Sequence, residues 1–220
     1  MSATRRRGRS EMLFTTAAFI VSLALISAGV IGVIHSQHRH TLKDLAGNTV
    51  TFDPGTIPAP EQQHKMSPAP AQPGDRLIVS AVGLDVPLGA LSAVDNEIEP
   101  PTFTSAYWIR NLGTTPSTPA AGTVFIAMHS LRNGGIGPGN YLYDTATGHA
   151  RVKPGQTATV NGINYTITGT TTIAKPLISA DTGVWADTPN RLVMITCLEL
   201  PNGAPSQDNF IVTATRTTGR

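Results

Sequence analysis

The chain of 220 residues holds one cysteine, Cys197, which closes the apolar run Leu192-Val193-Met194-Ile195-Thr196-Cys197. A second apolar run, 122–128, leads into His129, 68 positions before the thiol. A thiol and an imidazole from separate segments are the minimum equipment for thiolate acyl transfer. The imidazole takes the thiol proton near neutral pH and supplies a proton to a leaving amine. A lone cysteine after a β-branched run also fits an inert core position. Two groups this close in function titrate as a pair, so the competent protonation state belongs to both together.

For the pair to act, the two segments must be strands lying side by side, with Cys197 and His129 at the ends that face an open groove. From Asp75 onward the sequence has the texture for this: short β-rich runs broken by glycine and proline turns, without a long 3.6-residue apolar period. Strands are predicted at 76–82, 122–128, 157–160, 163–172, 191–196 and 210–215. So many short strands predict an all-β fold, a closed or nearly closed β-barrel with short helices or turns.

What precedes the barrel sets its place in the cell. Residues 12–34 carry no charge and are long enough as a helix to cross a bilayer, and Arg5, Arg6, Arg7 and Arg9 stand before them. The stretch exceeds the ~7–15-residue apolar core of a cleaved signal peptide, although Ala24, Ser27, Ala28 and Gly29 would suit cleavage. The expected order is a cytoplasmic basic tail at 1–11, a transmembrane helix at 12–34, a Pro-rich extracytoplasmic stalk at 35–74, the barrel domain at 75–216 and a tail at 217–220. The arginines put the N-terminus in the cytoplasm and the barrel outside, a single-pass membrane protein. Pro54, Pro58, Pro60, Pro68, Pro70 and Pro73 should keep the stalk extended and poorly packed. A run at Thr49-Val50-Thr51-Phe52 could form a docking strand.

Beyond residue 11 the other 209 residues carry 12 basic and 13 acidic side chains, a net of −1, which argues against a nucleic-acid partner. His35, His38, His40 and His64 fall in the stalk without cysteine or acidic ligands at metal spacing, so no metal is expected. His149 and Asp208 read as solvated turn residues. A free thiol in an exported domain stands in a compartment that often oxidises thiols, which favours a reactive role.

Several motifs, in order, resemble the sortases, membrane-anchored cysteine transpeptidases of Gram-positive bacteria. They are Arg76-Leu77-Ile78-Val79 with Val82-Gly83-Leu84-Asp85-Val86-Pro87, Ala106-Tyr107-Trp108, Gly122 through Met128-His129, Gly155-Gln156-Thr157 and Ile195-Thr196-Cys197. The Tyr107-Trp108 pair is similar to sortases of high-GC species. Gln156 stands where the family has Asp, and Met194 where it has Leu. The resemblance implies a sortase-like barrel, with Cys197 as nucleophile and His129 as acid/base. It implies attack on the Thr-Gly bond of a Leu-Pro-x-Thr-Gly-like sorting signal and a thioester acyl-enzyme without a cofactor. It also implies two partners: proteins bearing C-terminal sorting signals, and an amine of a peptidoglycan precursor or pilin.

The family also places an arginine near the start of the last strand, about a dozen residues after the cysteine. Here that position reads Asn209, a neutral donor; losing one oxyanion donor typically costs ~100- to 1,000-fold. Arg216 and Arg191 lie roughly 20 Å or more from the site along their strands. That leaves Arg132, in the loop after His129, as a possible substitute. The family's threonine before the cysteine helps hold the signal, which implies the same role for Thr196. Two alternatives stay open: a thiol hydrolase, and a catalytically weak sortase-like peptide-binding module, which the absent arginine favours.

Overall fold

A computed structural model of the chain describes residues 41–51 and 59–218. The segment at 12–34 and the arginines before it lie outside the described residues, among which no helix is long and apolar enough to cross a membrane. In chain order the elements are β1 Thr41–Lys43, β2 Thr49–Thr51, α1 Pro60–Met66, β3 Arg76–Val79, β4 Leu84–Leu91, β5 Ala106–Ile109 and β6 Thr123–Met128. There follow β7 Thr157–Val160, β8 Ile163–Ala174, α2 Lys175–Ile178, α3 Thr182–Trp185, β9 Arg191–Leu198 and β10 Asp208–Arg216. Strands β3 to β10 form a closed barrel in the order β10-β8-β7-β3-β4-β5-β6-β9, sealed by β9 pairing with β10.

Two pairs, β4–β5 and β6–β9, are parallel; the rest are antiparallel. Parallel neighbours are usually covered on both faces and read as continuous apolar runs, and β6 and β9 obey this. Alternate residues Val124, Ile126 and Met128 of β6, with Leu192, Met194 and Leu198 of β9, fill the barrel interior. The intervening Phe125, Ala127, Val193 and Ile195 lie on the outer face beneath Val184, Trp185 and Ile178 of the β8–β9 connection. Arg191 holds that cover down by donating to the carbonyls of Gly183, Val184 and Ala186 at 2.7, 3.1 and 2.9 Å.

The strand bounds differ from expectation where a partner decides them. Strand β9 runs to Leu198, not Thr196, because β10 starts at Asp208 and pairs back through Asp208↔Leu198. Strand β8 runs to Ala174 for the same reason, Ala174 facing Asp208. The predicted strand at 76–82 ends at Val79 and turns through a 3-10 segment, Ser80–Val82.

Residues expected to form a loose stalk are packed where they are described. Helix α1 buries Met66 to 1 % exposure, and Met66 O accepts from Ser92 N at 2.8 Å. Ala69 then exchanges two backbone bonds of 2.8 and 2.9 Å with Ala90 of β4. Gly89 makes that approach possible, since a Cβ there would sit 2.6 Å from both Ala69 O and the Tyr107 ring. The β1–β2 hairpin docks as well: Asp44 accepts from Ile136 N at 3.1 Å and Leu45 N donates to Ile136 O at 2.9 Å. Two buried side chains, Met66 and Asp44, and a few backbone bonds fix these segments.

Candidate active site

The parallel register of β6 and β9 runs from Thr123↔Arg191 to Ala127↔Ile195. Two residues further along each chain stand His129, just past the end of β6, and Cys197, still within β9, so the register carries both to matching ends of neighbouring strands. Both share the parity of the outer-face residues Ala127 and Ile195. The next strand adds Asn209, opposite Cys197, and the one beyond adds Ile173, opposite Asn209. One row therefore crosses three strands through Cys197, Asn209 and Ile173, with His129 next to it just past the end of β6. Cys197 is a free thiol and half-buried, so its sulfur is not sealed in the core.

His129 is held by its surroundings more than by its own strand. Its Nε2 lies 2.7 Å from Pro100 O, and because a carbonyl only accepts, Nε2 carries the hydrogen and Nδ1 is the basic nitrogen. Glu99 Oε1 stands 3.4 Å from the same Nε2, and the Phe103 ring meets the imidazole edge-on at 5.0 Å between centroids. Burial pulls the histidine down to about 4; the Pro100 bond opposes that shift and the Lys175 charge adds to it. Burial pushes Glu99 up to about 7, with Lys175 acting against the rise and Glu97 with it. At neutral pH the imidazole is uncharged and ready to receive a proton.

The thiol is also raised by burial. Lys175 counters this both as a charge and as a side-chain hydrogen-bond donor, while the carboxylates of Glu199 and Glu99 push the thiol further up. At neutral pH the two groups thus rest as thiol and neutral imidazole.

Inside the barrel, directly behind the pair, a set of hydroxyls joins the two strands. Ser130 Oγ and Thr196 Oγ1 lie 2.8 Å apart, both buried. Tyr143 donates to Cys197 O at 3.1 Å and accepts from Glu199 N at 2.8 Å, clasping β9 on either side of Leu198. Burial raises that phenol to about 12, so it stays a donor. Gly139 packs against this set: a Cβ there would overlap Thr196 Oγ1 and Ser130 Oγ. Asn140 pins the loop after His129, accepting from Leu131 N and Gly137 N at 2.8 and 2.7 Å and donating to Leu131 O at 2.8 Å.

The residues singled out in the sequence fall into three places. Cys197 and Asn209 share the outer row, with His129 next to it. Thr196 points inward at 3 % exposure and spends its hydroxyl on Ser130. Arg132 is half-buried in the loop after β6, its carbonyl accepting from Gly135 N at 3.1 Å. Of the others, Arg216 ends β10 opposite Tyr165, far along from Asn209, and His149 is exposed. Glu99, Lys175, Ser130, Tyr143 and Asn140 were not foreseen. Only Ser130 left a trace in sequence, as the residue after His129.

The chain matches no protein-family model, and no curated protein matches it either. Among solved structures the barrel is similar to sortases. A lid mutant of sortase A from Corynebacterium diphtheriae is 16% identical, with 66% of this chain and 70% of that one covered at a TM-score of 0.48. Sortase A from Listeria monocytogenes is 17% identical over 66% and 86% of the two chains, TM-score 0.46. Sortase C-1 from Actinomyces oris is 16% identical over 66% and 73%, TM-score 0.47.

Proposed function

We propose that the chain is a cysteine transpeptidase that cleaves a Leu-Pro-x-Thr-Gly-like sorting signal through a thioester and transfers the protein to an amine. The observation that supports this reading is the parallel register of β6 and β9, which carries His129 and the half-buried Cys197 to matching ends of neighbouring strands. His129 Nδ1 takes the thiol proton as sulfur attacks the Thr-Gly carbonyl, whose electron pair moves to oxygen. The tetrahedral intermediate collapses, the C–N bond breaks, and the imidazolium returns its proton to the departing glycine amine. An incoming amine, its proton removed by the same imidazole, repeats the sequence in reverse and frees the thiol. Glu99 and Pro100 keep the ring in the tautomer this requires, the service a triad's third member provides. The anchor at 12–34 sets the barrel outside the cell, where sorting signals and wall or pilin amines are met.

Product analysis tests the choice between transfer and hydrolysis. With a sorting-signal peptide and a glycine-based amine, the expected product is the amide at the threonine carboxyl, rising with amine concentration at the expense of the acid. Acid alone at every amine concentration would make the protein a thiol hydrolase. Peptide binding by Cys197→Ala, with no turnover by the parent chain, would make it a binding module.

A further inference from the structure

The outer-face row lacks a cation at Asn209, and carboxylates of Glu99 and Glu199 act on the thiol that must become an anion. Something nearby has to favour the thiolate. Strand β8 runs alongside β10 and ends where β6 and β9 end. Its Ile173 is the last member of the row, and Lys175, two residues on, follows on the same side of the chain. Two strand spacings, about 10 Å, separate β8 from β9, and an extended lysine stem crosses the larger part of that span, the Cys197 side chain on the same face meeting it from the other side. The backbone at this point is fixed: Ala174 pairs with Asp208, Lys175 N donates to Gln207 O at 2.9 Å, and Pro176 starts α2.

We propose that Lys175 is the active-site cation of this chain, taking from the end of β8 the place that an arginine at position 209 would fill. From the end of β8 its ammonium counters the rise that burial imposes on the Cys197 thiol, and its charge also reaches His129 and Glu99, so it bears on every titrating member of the site. Against the burial that holds the resting pair as thiol and neutral imidazole, it lowers the cost of forming the thiolate and adds to the forces that keep the imidazole neutral. The groups facing the sulfur are then His129 from β6, Lys175 from α2, Glu99 from the β4–β5 connection, Glu199 after β9, and the neutral Asn209 from β10. During acyl transfer, a step that rests on the transpeptidase reading, the carbonyl oxygen gains its electron pair beside Lys175, which donates to that oxyanion without giving up its proton. Lysine serves here as a point charge and lacks the fork with which arginine grips two oxygens. Lys175 is exposed, so its replacement removes charge without emptying the core.

The test is the pH dependence of Cys197 alkylation by iodoacetamide in the full chain, a readout that needs no substrate. Lys175→Met should move the midpoint up by about one unit or more and slow alkylation at pH 7 roughly 10-fold, while Lys175→Arg keeps the parent profile. With a sorting-signal peptide, Lys175→Met should lower kcat/KM about 100-fold and Lys175→Arg should recover most of it. An unchanged alkylation profile in Lys175→Met, or the same shift produced by Asn209→Ala or Arg132→Ala in its stead, overturns the assignment. If the profile shifts as expected in a protein that cleaves no sorting peptide, Lys175 keeps its role and the transpeptidase reading falls.

Discussion

Glu99 and His129 titrate in opposite senses within one contact, and this pair gives the site a pH signature. The histidine, with its folded value lowered to about 4, costs stability as pH falls below its ordinary range. The glutamate, with its folded value raised to about 7, contributes stability while protonated and loses it as pH climbs from about 4.5 through 7. Glu99→Gln keeps the shape and removes the second effect. The variant should melt with the parent near pH 4.5 and roughly 2–5 °C above it at pH 8, read by calorimetry. A constant offset across that range would mean that Glu99 is not held neutral by its surroundings. The sequence offered no route to this residue. Glu99 lies thirty positions before the histidine and meets it only because the long β4–β5 connection folds over the end of β6. Thr196 was better served, since its parity alone puts it on the face opposite the thiol, and the interior accepts its hydroxyl because Ser130 bonds to it.

At the level of elements, the legible strands were those whose apolar runs exceed what one face needs. β6 and β9 read clearly because both of their faces are covered. β4 was missed because Pro87 and Gly89 interrupt it, and the structure gives each a reason. Pro87 pairs with Arg76 at the last rung of β3, after which β4 changes partner to β5, so the missing N–H falls at the exchange point. β5 is four residues long, too short for a period to show. Helix α1 was hidden by its prolines, one of which simply opens its first turn. Its hold on the barrel is concentrated in Met66, fully buried between α1 and the strands. Met66→Ala should therefore cost about 2–5 kcal/mol in urea unfolding, far more than a residue of a loose stalk would. A change below about 0.5 kcal/mol would return this segment to the status of a tether.

For the molecule as a whole, closure of the barrel turns residues scattered between positions 129 and 209 into one row. Closure depends on β9 sitting between a parallel neighbour, β6, and an antiparallel one, β10, which sets His129 on one side of Cys197 and Asn209 on the other. The sequence pointed to Cys197 and His129 and raised the question at Asn209. It did not carry the register of β8 against β10 that brings Lys175 into reach, because register is fixed by pairing and not by composition. The central claim is that Cys197 becomes acylated by a sorting-signal threonine with help from His129. Intact-mass spectrometry of the protein incubated with a set of Leu-Pro-x-Thr-Gly peptides tests it most directly. The expected result is an adduct of the peptide's N-terminal fragment, linked through the Thr carbonyl to Cys197, released by hydroxylamine, absent in Cys197→Ala and strongly reduced in His129→Ala. Cleavage that survives Cys197→Ala, or no adduct on Cys197 with any peptide of the set, would contradict it.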